Sequence, residues 1–219
     1  MSTQNIHTSN STLAPCSPGI SDKGLLRGSI ALAIISLIGL GLLYPLTGVG
    51  LNQVLFPEMA NGSLIERDGK VVGSELVAQP FSDARYFQPR PSAANYDVMA
   101  VAGSNQARTN PDLRDRIDKT RTSTAQHNSV DPSAIPGDLI TQSGSGVDAH
   151  LSPDAVALQA DRVARARGIG LDVIKGLLAL HTENKQFGLL GQPRVNILKL
   201  NMSLDALAYP AAEISKEEP

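Results

Sequence analysis

The 219-residue sequence has one cysteine, Cys16, no tryptophan, and only four phenylalanines and four tyrosines. A lone cysteine excludes an intrachain disulfide and a thiolate metal cluster. Beyond residue 51 there is no thiol at all, so that part of the chain must be held by packing and hydrogen bonds. With so few aromatics, no platform for stacking bases or sugars is visible. Residues 52–219 carry 17 basic and 20 acidic side chains, net −3, which argues against a nucleic-acid footprint. No G-x-x-x-x-G-K-[ST] occurs, Gly144-Ser145-Gly146 does not continue to G-x-G-x-x-G, and G-x-S-x-G is absent. No aspartate lies in a recognisable phosphorylation motif. The chain alone therefore has no visible ATP-hydrolysing site.

Charge is also missing between Arg27 and Glu58, and here the absence is informative. Leu25 to Leu51 is almost wholly apolar. A helix rising about 1.5 Å per residue needs about 20 residues to cross the hydrocarbon core. In lipid every backbone amide needs an internal partner, so a lone segment must be helical. Core helices of soluble proteins rarely run this long without a charge. A cleaved leader has an apolar core of about 7–15 residues and a small-residue cleavage site; here the core is longer, and Tyr44-Pro45 follows it rather than an A-x-A pattern. Cys16 precedes the run, so it is not placed for lipid modification after a leader. The segment reads as a retained single anchor. Pro45 is expected to end or kink it, and residues 48–57 to extend it or lie along the membrane surface.

Lys23 and Arg27 stand directly before the anchor, whereas the first basic residues after it, Arg67 and Lys70, are mixed with Glu58, Glu66 and Asp68. Positive charge near the span favours the cytoplasmic side. The expected organisation is a disordered cytoplasmic tail over 1–24, a transmembrane helix over 25–51, an extracytoplasmic α+β domain over 52–209, and a frayed C-terminus over 210–219.

Within the domain, Asp68-Gly69 between apolar runs predicts a β-hairpin. Pro80, Pro89 and Pro91 exclude a regular helix and predict irregular, packed loop with short strands. Asn110-Pro111-Asp112 and Ser152-Pro153-Asp154 both have the order cap, proline, acid that starts a helix. The second such helix is expected to end in Arg165 and Arg167 and stop at Gly168. Residues 131–147 read as loop and Leu171 to His181 as a further helix. The alternation Leu198, Leu200, Met202, Leu204 predicts a strand over 195–204.

Ser143, Ser145, Asp148 and His150 form the most chemistry-like cluster. Nucleophile, base and acid are the ingredients of a serine hydrolase, with Ser145 and His150 as the pair to test. The plainer reading is a tight turn, with glycines for positive φ and Ser and Asp side chains for local hydrogen bonds. A third is contact with a partner. His181 and Glu183, two apart at a helix end, do not face one ligand, and a satisfied helix-end histidine is the simpler account. Arg90-Pro91-Ser92 and Gly103-Ser104-Asn105 read as polar turns. No catalytic residue and no metal site is assigned. An anchored accessory or assembly subunit fits better than an enzyme; a generic envelope scaffold is the remaining alternative.

Several ordered blocks together carry a family resemblance. They are the single N-terminal anchor, Tyr86-Phe-Gln-Pro-Arg-Pro-Ser-Ala, Gly103-Ser-Asn, and Asp138-Leu-Ile-Thr-Gln-Ser-Gly-Ser-Gly-Val-Asp-Ala-His-Leu-Ser-Pro. Arg162-Val-Ala-Arg-Ala-Arg-Gly, His181-Thr-Glu and Arg194-Val-Asn-Ile-Leu-Lys-Leu-Asn follow. In this order, over about Gly24 to Asp205, they resemble the C subunit of the potassium-transporting Kdp P-type ATPase. Departures are Pro89 where a glycine is usual, Gln106-Ala-Arg-Thr, Val147 and Ala149, and a longer N-terminal tail.

The resemblance implies a bacterial inner-membrane complex with a channel-like potassium-binding subunit and a catalytic P-type ATPase subunit as partners. It implies a C subunit that stabilises the complex and raises the pump's affinity for ATP as a catalytic chaperone. ATP would then be bound only together with the catalytic subunit. The lipid bilayer is the other expected partner, and nucleic acid is not. Ser143, Gly144, Ser145, Gly146, Asp148, His150, Arg90, Ser92, Gly103, Ser104 and Asn105 become candidate partner or nucleotide contacts. Because the domain is expected outside, indirect coupling is preferred to direct nucleotide contact. An outer cap that steers potassium with its acidic surface is a further possibility.

Overall fold

The computed structural model describes residues 24–67 and 69–214, and side-chain environments up to Leu207. The expected tail lies outside the described residues apart from Gly24. The described chain divides into two compact units, the second beginning at Pro57.

The first unit is a continuous helix, Leu25–Leu55, 31 residues long. None of its residues is buried, and among the described residues it is the one helix long and apolar enough to cross a membrane. It has three parts: α1 (Leu25–Ser36), a π-helical stretch (Leu37–Leu43), and α2 (Tyr44–Leu55). Pro45 was expected to end or kink the helix; it does not end it, because α2 continues to Leu55. The π-stretch explains this. The Tyr44 N–H donates five residues back, to Gly39 O. That widened turn precedes Pro45, which has no N–H to give and whose ring would collide with a carbonyl in regular α geometry. Thr47 Oγ1 and Asn52 Nδ2 donate to the carbonyls of Leu43 and Gly48, so these polar side chains are satisfied within the helix itself.

The second unit opens with a helical turn, α3 (Pro57–Ala60), and an antiparallel hairpin of β1 (Leu64–Arg67) and β2 (Lys70–Ser74). Gly69, at φ +72°, stands where the hairpin was expected to reverse. Residues 75–109 follow as ordered irregular chain without the short strands expected there. Three helices come next: α4 (Pro111–Asn128), α5 (Pro153–Arg167) and α6 (Leu171–His181). Asn110 Oδ1 accepts from Asp112 N and Ser152 Oγ from Ala155 N, so both caps form as the sequence indicates. Gly168 ends α5 at φ +66°.

A small sheet, ordered β3-β5-β4 and antiparallel throughout, joins His150–Leu151, Arg194–Asn196 and Thr182–Glu183. The central strand β5 runs straight into α7, Ile197–Ile214. A strand was expected over 195–204; only its first two residues are extended. Burial of Ile197, Leu200, Asn201 and Leu204 follows helical spacing, and Asn196 Oδ1 caps the helix by accepting the Lys199 N–H.

The core lies where α5, α6, α7 and the sheet meet. α5 contributes Ala155, Val156, Ala160, Val163 and Ala164, one stripe at i, i+4, i+8 spacing. Ile174, Val195, Leu200 and Phe87 complete it with no exposed surface. Phe87 comes from irregular chain, so what fixes that chain also fixes the core.

Candidate functional site

Two buried amide side chains hold the Phe87-Gln88 backbone as a neighbouring strand would. Asn201 Oδ1 accepts the Phe87 N–H and Asn201 Nδ2 donates to Phe87 O, both at 2.9 Å. Gln159 Oε1 accepts the Gln88 N–H at 2.9 Å and its Nε2 donates to Gln88 O at 3.1 Å. Arg162, also buried, donates to the carbonyls of Ala84 and Tyr86, to Asn128 Oδ1 and to Gln159 Oε1. All four acceptors are neutral. Burial lowers the Arg162 pKa to about 10, so it stays charged at neutral pH.

This clamp aims the next residues, Pro89 to Ser92, at the loop 141–150. Arg90 Nη1 lies 3.2 Å from Asp148 Oδ2, and its Nη2 is 3.3 Å from Thr141 Oγ1. Asp148 Oδ1 accepts the His150 N–H at 3.1 Å and lies 3.8 Å from His150 Nδ1. The His150 side chain first, then its backbone N–H and the Arg90 guanidinium, hold the Asp148 carboxyl below its usual range. Ser92 Oγ donates to Gly146 O at 2.5 Å and accepts from Ala94 N and Tyr96 N. Tyr96 returns its hydroxyl to Arg90 O at 2.8 Å, and burial pushes its phenol pKa up.

Inside the 141–150 loop, Ser143 Oγ accepts the Gly146 N–H at 2.7 Å and Ser145 Oγ accepts the Val147 N–H at 3.2 Å. Gln142 bonds both Ser92 O and Arg116. The third loop touches through glycine. A Cβ at Gly103 would sit 2.9 Å from Gly144 O, and one at Gly146 (φ +76°) 2.7 Å from Ala102 O. Only glycine allows these backbones so close. Ser104 and Asn105 continue that loop; Asn105 is exposed, at φ +50°.

So the structure assembles Arg90, Ser92, Gly103, Ser143, Gly144, Gly146, Asp148 and His150 into one three-loop platform. The serine hydroxyls are engaged in turns, with Ser145 bonded to its own loop and His150 facing Asp148. Among the described residues, no three His, Cys, Asp or Glu side chains gather as a metal site.

Beside the platform lies a cleft of about 500 Å³. Arg90, Asp148 and His150 form one part of its lining, and Asp138, Glu183 and Arg194 another, with the 184–193 segment as a wall. Glu183 and Arg194 pair at 2.8 Å, which holds the Glu183 carboxyl below its usual range. Asp138 Oδ2 accepts the Ser152 N–H. Sequence reasoning did not place this wall at the site. Its signal was Gly188 and Gly191 between two strand ends, a hairpin turn at φ +73° and +84°. His181 is elsewhere, with Nε2 2.8 Å from Ser203 Oγ, as a satisfied helix-end histidine.

A family model described as "KdpC: K+-transporting ATPase, c chain" matches residues 26–206. A protein from Xanthomonas oryzae pv. oryzae is 57% identical over 186 residues, covering 85% of this chain and 89% of that protein. One from Methylococcus capsulatus is 53% identical over 173 residues, covering 76% and 90%. One from Caldanaerobacter subterraneus subsp. tengcongensis is 43% identical over 180 residues, covering 82% and 93%. Each is described as a potassium-transporting ATPase KdpC subunit.

Proposed function

The chain belongs to the KdpC family, the c chains of K+-transporting ATPases, and from that premise we propose that it is a single-pass accessory subunit without chemistry of its own. It stabilises the complex and raises the catalytic subunit's affinity for ATP by indirect coupling. The anchor Leu25–Leu55 sits in the bacterial inner membrane, with the N-terminus in the cytoplasm and the second unit outside. Its partners are the channel-like potassium-binding subunit and the catalytic P-type ATPase subunit. The three-loop platform, Arg90 and Ser92 with Gly103–Asn105 and Ser143–His150, is a contact surface.

One observation carries this reading. The residues that looked most like a reaction centre are spent on making loops rigid, as Ser92 on Gly146 and Ser143 on Gly146 illustrate. A rigid, partly exposed surface loses little entropy on docking, so contact energy goes into choosing a partner's state. Direct ATP binding is a poor fit to the residues present. The cleft has three carboxylates, Asp138, Asp148 and Glu183, against two guanidiniums, a balance that repels a triphosphate. Coupling through a partner's conformation of about 1–3 kcal/mol would change affinity about 5- to 150-fold.

The test is an ATP titration of the potassium-dependent ATPase assembled with and without this chain. A fall in ATP affinity of at least about fivefold on omission is expected. Equal affinity, or hydrolysis by the isolated chain, would overturn the reading. Protease added outside right-side-out vesicles should digest residues 57–219; protection would reverse the orientation and revive direct ATP contact.

A further inference from the structure

We propose that the turn of the β4–β5 hairpin, residues 186–190, is a docking finger that inserts Phe187 and Leu189 into an apolar pocket on another subunit of the potassium-transporting ATPase. This rests on the reading above that the chain works as one subunit of that assembly. Phe187 is 91% exposed, Leu189 82% and Leu190 61%. No charge occurs between Lys185 and Arg194. Scattered exposed apolar residues are ordinary, but three within four positions at the end of a protrusion are a patch.

The finger is also preformed. Gln186 and Leu190 exchange both backbone hydrogen bonds, at 2.9 and 3.0 Å. Gly188 N donates to Lys185 O, closing the turn. Phe187 itself takes φ +54°, a conformation rare for a bulky side chain. Strain of that kind persists where surrounding structure enforces it, and it clusters at functional positions. Here the enforcing structure is the stem, with Thr182 paired to buried Val195 and Glu183 bridged to Arg194. An aromatic anchor held in place before contact is what interface hot spots require.

Other occupants fit less well. Residues 215–219, Ser-Lys-Glu-Glu-Pro, are too polar to cover the tip, and residues 1–23 precede the anchor. A second copy would set one convex tip against another and bury little of either. An anionic lipid surface needs basic support, and residues 52–219 carry net −3 with only Lys185 adjoining the tip. A concave apolar recipient on a neighbouring subunit remains.

The experiment places a photoreactive phenylalanine analogue at position 187 of the full chain, expressed with the other ATPase subunits and irradiated in native membranes. The expected product is an adduct with one ATPase subunit. It should exceed by about tenfold that from the same probe at Asp172, an exposed residue on α6. Adducts only with lipid, only with a second copy, or none, while the unmodified chain still co-purifies with the ATPase, overturn the finger and leave the accessory reading standing. Failure of the unmodified chain to co-purify overturns both. Independently, Phe187→Ser with Leu189→Ser should cut recovery in the complex about tenfold without moving the chain's own Tm. Unchanged recovery overturns the proposal.

Discussion

Phe87 and Phe187 are the same residue in equally irregular surroundings, and they meet opposite fates. Phe87 has no exposed surface and sits in the core; Phe187 is 91% exposed at a hairpin tip. The difference is in what holds the backbone. Around Phe87 the clamps come from far away, with Asn201 114 residues from Phe87 and Gln159 71 residues from Gln88 along the chain. Around Phe187 they are local, from Gln186 and Leu190. Long-range clamps build a core and carry the platform; a local clamp displays a side chain. An irregular segment can therefore be a rigid part of the fold or a presented surface, and the origin of its hydrogen bonds tells which.

The comparison breaks first on stability. Phe87→Ala should lower unfolding free energy by about 3–5 kcal/mol, whereas Phe187→Ala should change it by less than about 0.5 kcal/mol, both by denaturant titration. Equal costs would erase the distinction. Asn201→Leu should come next, at about 2–3 kcal/mol, because it leaves the Phe87 N–H and C=O buried without partners. Gly146→Ala should cost about 1–3 kcal/mol, since it combines φ +76° with a Cβ 2.7 Å from Ala102 O. Gly188→Ala, at φ +73° but with open space around it, should cost less, about 1 kcal/mol. A reversed order would mean that the platform is looser than its contacts imply.

The smallest effect is in pH. Burial, then Lys199, holds the His181 pKa below its ordinary 6.5. The neutral ring is thus favoured in the folded state. That stability is fully present above the unfolded pKa and is lost as pH falls through about 6.5 toward the lower folded value. His181→Gln should flatten the pH dependence of Tm in that window; an unaltered slope would assign it to other groups, His127 foremost.

Local signals in the sequence were enough for the elements they govern. Asn110-Pro111 and Ser152-Pro153 start helices because cap and proline act within one turn, and Gly168 ends one for the same reason. The apolar run could be read from length alone. Other elements were misread, among them the short strands expected within 75–109. Leu198, Leu200, Met202 and Leu204 alternate like a strand, yet Ile197, Leu200, Asn201 and Leu204 also make a helical stripe, and the Asn196 cap decided between them. Pro45 did not end the helix, because a preceding π-turn is a remedy with no residue signature. Of the candidate site, the residues were visible as polar turns. Their assembly was not, because Ser92 to Gly146 and Arg90 to Asp148 are contacts 54 and 58 residues apart with no period to reveal them. Glu183 and Arg194 lie only 11 residues apart, across a turn that Gly188 and Gly191 mark, but each had been read singly and not as a pair.

We propose that the three-loop platform acts on a partner and performs no reaction. Arg90→Gln with Asp148→Asn keeps the side-chain shapes and removes the charge pair that joins two of the loops. The direct measurement is the ATP half-saturation of the purified potassium-dependent assembly carrying that double variant. The expected result is an intact assembly whose ATP affinity is weaker by at least about fivefold. An intact assembly with unchanged ATP affinity would contradict it.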